Sequence, residues 1–370
     1  MKIAIFSSYA YICKVNNYGS ILQYFALQTY LKQLGHAPYW IQYRPNENKH
    51  NGISKCLRKL ILKSNVQNDS IKHYNQKGFK NFIEQYISLS QEVYYNYNEI
   101  RKRPPQADLY IVGSDQIWNG FSPERYLMFV PKNRTKISYA VSFGRSSIRS
   151  YLKPLLRIYL KNFEAISVRE LNGLEICHSV GRDDAQYVVD PSFLLSKEQY
   201  ENILDSSNTP TIQGDYIFGY FVNPFINNVC PYFNEINNLS NETHCKLIIT
   251  AIQNAEKAFT GSQCTNPSPL EWLQLIRKAK YIITNSFHGI AYSIIFQKQF
   301  ILVPQKGGMS DQNCRYFNLL KKLGLDTRIY NHKSSIKSQL EIPIKWENVL
   351  LKEEEFIHTS KEYLLHHLRK

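Results

Sequence analysis

The stretch IITNSFHGIAYS, Ile282–Ser293, begins as an apolar strand, breaks at small polar residues and one histidine, and restarts as an apolar helix. Lys280–Thr284 has the character of a strand and a helical pattern follows, so Asn285, Ser286, His288 and Gly289 fall at the turn between them. In an open α/β sheet such a turn lies at the carboxyl ends of the strands, where ligands bind. The stretch therefore predicts a parallel sheet and a site on its edge.

The same order of strand then helix recurs in both directions from this point. Lys2–Ser7 is a short apolar strand, and from Gly19 a helical pattern carries Tyr24, Leu27, Leu31 and Leu34 on one face until Gly35 and Pro38 stop it. Tyr39–Tyr43, Ala107–Asp115, Lys136–Gly144, Glu164–Glu170 and Ala185–Pro191 read as further strands. Residues 45–105 are polar and rich in Asn and Lys, with a helix expected around Lys80–Leu89. A second series follows Leu195: Asp215–Val222, Cys245–Ala251, Lys280–Thr284 and Phe300–Pro304. The helix before Lys280 is announced by Ser268-Pro269-Leu270-Glu271, a capping box with proline in the first turn.

Alternation of this kind predicts parallel sheets with helices on both faces. Two series give two Rossmann-like domains, residues 1–195 and 196–345, with a cleft between them. Residues 346–370 form a lysine-rich tail, expected to be helical and to pack back on the body.

The chain has 370 residues, 43% hydrophobic and 20% charged, as expected of a soluble globular protein. No apolar run approaches a membrane span, and the opening residues read as a strand instead of a signal peptide. Seven scattered cysteines, none in CxxC spacing, suit reduced thiols in the cytoplasm and give no zinc knuckle. The formal charge of +15 draws anions. No nucleic-acid-binding pattern accompanies it, so phosphorylated small molecules are the expected partners and nucleic acid is not. Dinucleotide, P-loop, zincin and nucleophile-elbow motifs are absent, and no ligand cluster for a metal stands out.

Six places could carry chemistry. In NYGS, Asn17–Ser20, Gly19 permits a tight turn and leaves the Ser20 and Ile21 amides facing an anion; the plain alternative is an N-cap at Asn17. In VGSDQIWN, Val112–Asn119, Gly113 and Ser114 end a strand, Asp115 could take a proton from a hydroxyl, and Trp118 could stack on a sugar; a helix cap and a core indole are the alternatives. Arg169, at the end of a strand, offers a fork for carboxylate or phosphate, or a salt bridge to Glu170 or a neighbour. Arg315 and Arg328 are further candidates of the same kind. His288, flanked by Ser286 and Gly289, is placed to act as a general acid, unless it is structural.

Two basic stretches, Ile53–Ser64 and RSSIRSYLKPLLRIYLK (Arg145–Lys161), could rest on an anionic membrane surface; a solvated helix face is the alternative.

Taken in order, NYGSILQYFALQTYLKQLG, VGSDQIWN, SYAVSFG, ISVRE, VVDPSFLL, KYIITNSFHG and RYFNLLKKLGL resemble the polysaccharide pyruvyl transferase family over most of the chain. The resemblance implies a two-domain arrangement like that of GT-B glycosyltransferases. It also implies transfer of a pyruvyl group from phosphoenolpyruvate, a donor substrate needing no cofactor, to two hydroxyls of a sugar, with a cyclic ketal and phosphate as products. The acceptor would be a surface polysaccharide or a lipid-linked oligosaccharide, met in the cytoplasm at the inner face of the plasma membrane. His288 matches the family's motif histidine and Arg169 its strand-end arginine, with Asp115 as base or sugar ligand and Trp118 as platform. Asn285 stands where many relatives have aspartate, and Ser286 where better-understood members have arginine, a cation that Arg315, Arg328 or Lys306 could replace. The other readings are a GT-B glycosyltransferase using a nucleotide sugar and a carbohydrate-binding protein with lapsed catalysis.

Overall fold

The computed structural model describes residues 1–7, 17–45, 75–223, 225–259, 264–305 and 313–369. The basic stretch at 53–64 and Lys306 lie outside them. The first half runs β1 (Lys2–Phe6), α1 (Tyr18–Gln33), β2 (Ala37–Tyr43), α2 (Gln76–Tyr86), β3 (Leu89–Tyr94), α3 (Tyr97–Lys102), β4 (Leu109–Val112) and β5 (Thr135–Ser138). It continues through α4 (Lys153–Leu160), β6 (Ser167–Val168), α5 (Leu171–His178) and β7 (Gln186–Tyr187). The second half has α6 (Lys197–Ser206), β8 (Tyr216–Val222), α7 (Phe233–Thr243), β9 (Lys246–Ile252), α8 (Pro269–Lys278), β10 (Tyr281–Thr284), α9 (Phe287–Ile295) and β11 (Gln299–Leu302). Helices α10 (Cys314–Leu323), α11 (Ile336–Glu341) and α12 (Trp346–Leu368) close the chain.

Every described ladder is parallel. The first sheet has the order β3-β2-β1-β4-β5 and the second β11-β10-β8-β9. The short β6–β7 pair extends the first sheet through bridges from Ile137 to Ala165 and from Val141 to Val168. Central strands β1, β4 and β10 are apolar because helices cover both faces.

Strand β3 is a difference from the sequence reading, which has no strand in this region and carries the helix on to Leu89. Its sequence LSQEVY is half polar, and it sits on the sheet's edge, where a continuous apolar run is not required. Helix α1 differs too. One apolar face is expected, yet Tyr18 through Gln28 are all buried, because α1 is packed on more than one side. One side meets the first sheet, where Tyr24 donates its hydroxyl to Ile5 O at 3.0 Å. The other meets α8 and α9 of the second half.

That second contact is an aromatic seam. The Tyr18 ring stacks on Trp272 with centroids 5.4 Å apart and planes 10° apart, and its hydroxyl donates to Pro267 O at 2.8 Å. Tyr220 meets Trp272 edge-on at 4.9 Å. Large buried rings at such spacings contribute beyond the area they bury. The seam presses the start of α1 against the start of α9. Helix α12 returns to the first half, where the Tyr363 hydroxyl donates to Ser138 O at 2.8 Å and Ser360 Oγ accepts from Val189 N at 2.9 Å.

Candidate active site

The carboxyl ends of β1 and β4 face those of β8 and β10 across a cavity of about 280 Å³. Asn17, Asp115, Gln116, Asn119 and Arg125 line it from the first half, and Asn223, Gln253, Ser286, His288 and Arg315 from the second. This is the position that strand order assigns to ligands in open α/β sheets. The lining is polar, with two guanidinium groups and one carboxylate.

His288 stands at the second position of α9, directly after Ser286 and Phe287, and is 5% exposed. Gly19, at the second position of α1, has no side chain to fill the space taken by the imidazole; a Cβ there would collide with the ring. On the other edge, Nε2 lies 3.7 Å from Asp190 Oδ2. That separation is long for a hydrogen bond and leaves the carboxylate lying beside the imidazole.

Asp190 is fully buried after β7. Its Oδ1 accepts from Ser192 N at 3.0 Å and Ser192 Oγ at 2.8 Å, while Oδ2 accepts from Arg169 Nη1 at 2.5 Å and Ser114 Oγ at 3.2 Å. Burial works to raise its pKa, but His288, Arg169 and the Ser192 amide outweigh burial and hold the carboxyl far below the usual range. Asp190 thus remains an anion beside the imidazole. The sequence reading gave it no role. Its signal is the Asp-Pro-Ser step at a strand end, where aspartate caps the turn and its second oxygen stays available.

Arg169 is where the structure corrects the expectation most. Its fork does not open into the cavity. Nη1 holds Asp190, Nη2 donates to Asp115 Oδ1 at 3.1 Å, and the guanidinium lies over the Phe287 ring at 4.5 Å. The residue is 2% exposed, and its pairing is with these two aspartates, not with Glu170. It is a buried tie between two carboxylates, which leaves it unsuited to clamp an incoming anion. Glu170 instead ties the end of the SYAVSFG segment: Oε1 accepts from Ser142 Oγ, Phe143 N and Gly144 N at 2.8–3.1 Å.

Asp115 reaches the cavity wall. It and Gln116 have φ of 27° and 54°, in the left-handed region that non-glycine residues rarely adopt and that is enriched at functional sites. One carboxylate oxygen takes Arg169 and the other takes the Ser20 hydroxyl. Burial would raise its pKa, but Arg169, His288, Ser20 and Arg315 lower it. A carboxylate held this firmly ionised is a weak base and a good acceptor of hydrogen bonds.

The cations that do line the cavity are Arg315, near the start of α10, and Arg125. Arg315 is buried, with its pKa lowered first by burial and then by the neighbouring Arg169 charge. A guanidinium stays charged under such conditions. With its amide oxygen turned toward it, Gln116 accepts from both terminal nitrogens of Arg315, at 2.7 and 3.2 Å.

Other expected residues take structural places. The Ser20 and Ile21 amides are not left for an anion: Asn17 takes the first through Oδ1 at 3.1 Å and the second through its carbonyl at 3.2 Å. Trp118 is no sugar platform; it is fully buried, stacked on Tyr126 at 5.3 Å, and donates Nε1 to Arg125 O at 3.0 Å. Gly113 presses on the Tyr139 carbonyl and Ser114 donates to Ala140 O at 2.8 Å, both behind the cavity wall. Gly289 packs on Thr284 within α9. Arg328 is spent on the Gln339 and Ile342 carbonyls. Asn285 joins β10 to β8, accepting from Val222 N at 2.7 Å and donating to Val222 O at 2.9 Å. An aspartate could make only the first of these bonds. Ser286 does line the cavity, as N-cap residue of α9.

Solved structures with this architecture are GT-B-type enzymes. A UDP-N-acetylglucosamine 2-epimerase from Rickettsia bellii aligns over 100% of this chain and 96% of its own, at 10% identity and a TM-score of 0.60. A variant of the wall teichoic acid polymerase TagF aligns over 99% and 88%, at 12% identity and a TM-score of 0.52. At such identities the likeness is one of fold. No curated protein matches the chain in sequence. Residues 17–307, from the Asn17 cap through the whole of the His288 turn, match the sequence profile described as polysaccharide pyruvyl transferase. The chain belongs to the polysaccharide pyruvyl transferase family.

Proposed function

We propose that this transferase moves the pyruvyl group of phosphoenolpyruvate onto two hydroxyls of one sugar, in a surface polysaccharide or its lipid-linked precursor. The observation that carries the reading is the pairing, in one small cavity, of Arg315 and Arg125 with an imidazole held beside a permanent anion. Phosphoenolpyruvate brings a phosphate and a carboxylate, which guanidinium forks recognise. The polar lining, with its two guanidinium groups, suits a small donor that carries two anionic groups.

In this reading His288, held beside Asp190, gives a proton to the methylene carbon. The first sugar hydroxyl adds to the neighbouring carbon and its proton returns to His288. The bond from that carbon to the phosphate oxygen then breaks as the second hydroxyl adds, and the second proton leaves with phosphate. The methylene becomes a methyl group, and the two sugar oxygens complete the ketal. Asp115 accepts a hydrogen bond from an attacking hydroxyl and orients it.

Titration calorimetry with phosphoenolpyruvate, and with UDP-sugars beside it, tests the donor. Saturable binding of phosphoenolpyruvate that Arg315→Ala weakens supports the reading. Binding of a nucleotide sugar alone would replace it with glycosyl transfer.

A further inference from the structure

Outside the cavity, the segment from Arg145 to Lys161 presents an exposed face. Ser150–Leu152 forms a 3₁₀ turn that runs directly into α4. Leu156 and Leu160 point into the protein, while on the opposite side Tyr151 is 68% and Ile158 59% exposed. Seven residues, about two helical turns, separate them, so they share one stripe, with the exposed Pro154 between. Arg145, Arg149, Lys153, Arg157 and Lys161 recur every fourth residue along the segment, and no Asp or Glu occurs from Arg145 to Phe163. Exposed large apolar side chains flanked by an uninterrupted row of cations are the pattern of a helix that lies in the interface of an anionic bilayer. No described helix is long and apolar enough to cross a membrane.

The segment also reaches the cavity. Arg145 Nη2 donates to Asn119 O at 2.6 Å and to the Asn119 side chain, which lines the site.

We propose that the α4 face docks the enzyme on membranes containing anionic phospholipid, with Tyr151 and Ile158 entering the headgroup layer and Arg149, Lys153, Arg157 and Lys161 meeting lipid phosphates. Contact of this kind sets the cavity mouth beside the bilayer, where a lipid-linked sugar is presented. That last consequence rests on the proposed transfer reaction; the docking itself does not.

The test is flotation of the full chain with phosphatidylcholine vesicles, with and without phosphatidylglycerol. The wild-type chain is expected to float with the anionic vesicles alone, less so at higher salt. Tyr151→Ser with Ile158→Ser, and separately Arg149→Glu with Lys161→Glu, should each lower partition at least about tenfold with unchanged melting temperature. Absence of wild-type flotation, or flotation of both double variants equal to that of the wild type, overturns the proposal. So does a wild-type dimer by light scattering that the Tyr151→Ser, Ile158→Ser variant dissociates, since a second copy would then be the occupant. No donor or turnover enters the assay, so docking can fail while pyruvyl transfer stands.

Discussion

Gly19 and His288, 269 positions apart, touch: the amino-terminal turn of α1 gives up a side chain so that the imidazole on α9 can lie against it. Neither helix needs a glycine there for its backbone, since Gly19 has an ordinary helical conformation. Alanine in a helix is normally the more stable choice. Gly19→Ala should therefore reveal the contact. Displacing the imidazole by about 1 Å predicts on the order of a hundredfold loss in kcat. Phosphate release from phosphoenolpyruvate reads the rate and calorimetry reads donor affinity, which should change little. Unchanged turnover would remove the Gly19 contact from the site's design.

Asp190 predicts an acid-sensitive variant pair. Its carboxyl is held below its ordinary range in the folded state, so it stabilises the fold at neutral pH and that contribution drains away as pH falls below about 4. Asp190→Asn should be less stable at neutral pH, because Arg169 and Ser192 keep donors facing an amide. Its melting temperature should also fall less steeply in acid than that of the wild type. Activity should drop more than for loss of stability alone, with His288→Ala lower still, about 100- to 10,000-fold down as expected for a lost general acid. Parallel acid profiles for wild type and Asp190→Asn would contradict the assignment.

Arg169 and Arg315 should separate cleanly. Removing Arg169 strands Asp115 and Asp190 in the interior without their shared cation, at a cost of about 3–5 kcal/mol. Arg169→Ala should accordingly lower the urea midpoint strongly. Arg315→Ala removes a cation from the cavity wall and should raise the apparent KM for phosphoenolpyruvate about tenfold or more with a modest stability change. A normal midpoint for Arg169→Ala combined with a raised KM would restore it as the donor clamp.

The difference between these arginines also marks what the sequence could disclose. The strand-turn-helix at Ile282–Ser293 is legible because its periodicity changes within a few residues, and it locates His288 and Ser286 on the cavity. Asn17 and Asp115 converge on the same cavity by the same rule, since they too follow strand ends. Position along a strand does not reveal what closes over a side chain from elsewhere. Arg169 is enclosed by carboxylates 54 and 21 residues away, so its place at a strand end misleads. Trp118 misleads likewise, because Tyr126 and Phe143 cover the ring that was to meet a sugar. Asp190 went unassigned because its function is defined by His288, which reaches it only through the packing of α9. Strand β3 is not legible because an edge strand can be polar.

Glu353 on α12 supplies a last test, of the fold alone. Burial pushes its carboxyl up to about 7, and Oε2 has no hydrogen-bond partner among the described residues. Below about pH 4 both folded and unfolded chains carry the proton, and the residue imposes no penalty. As pH rises the unfolded chain releases its proton while the folded one retains it, so stability falls until the folded group ionises near 7. Beyond that pH the whole loss, on the order of 3 kcal/mol, is in place. Glu353→Gln keeps the shape and cannot ionise. Its melting temperature should match the wild type near pH 4 and exceed it above neutrality. An equal difference at both pH values would mean that folding leaves the titration of Glu353 unshifted, against the effect of its burial.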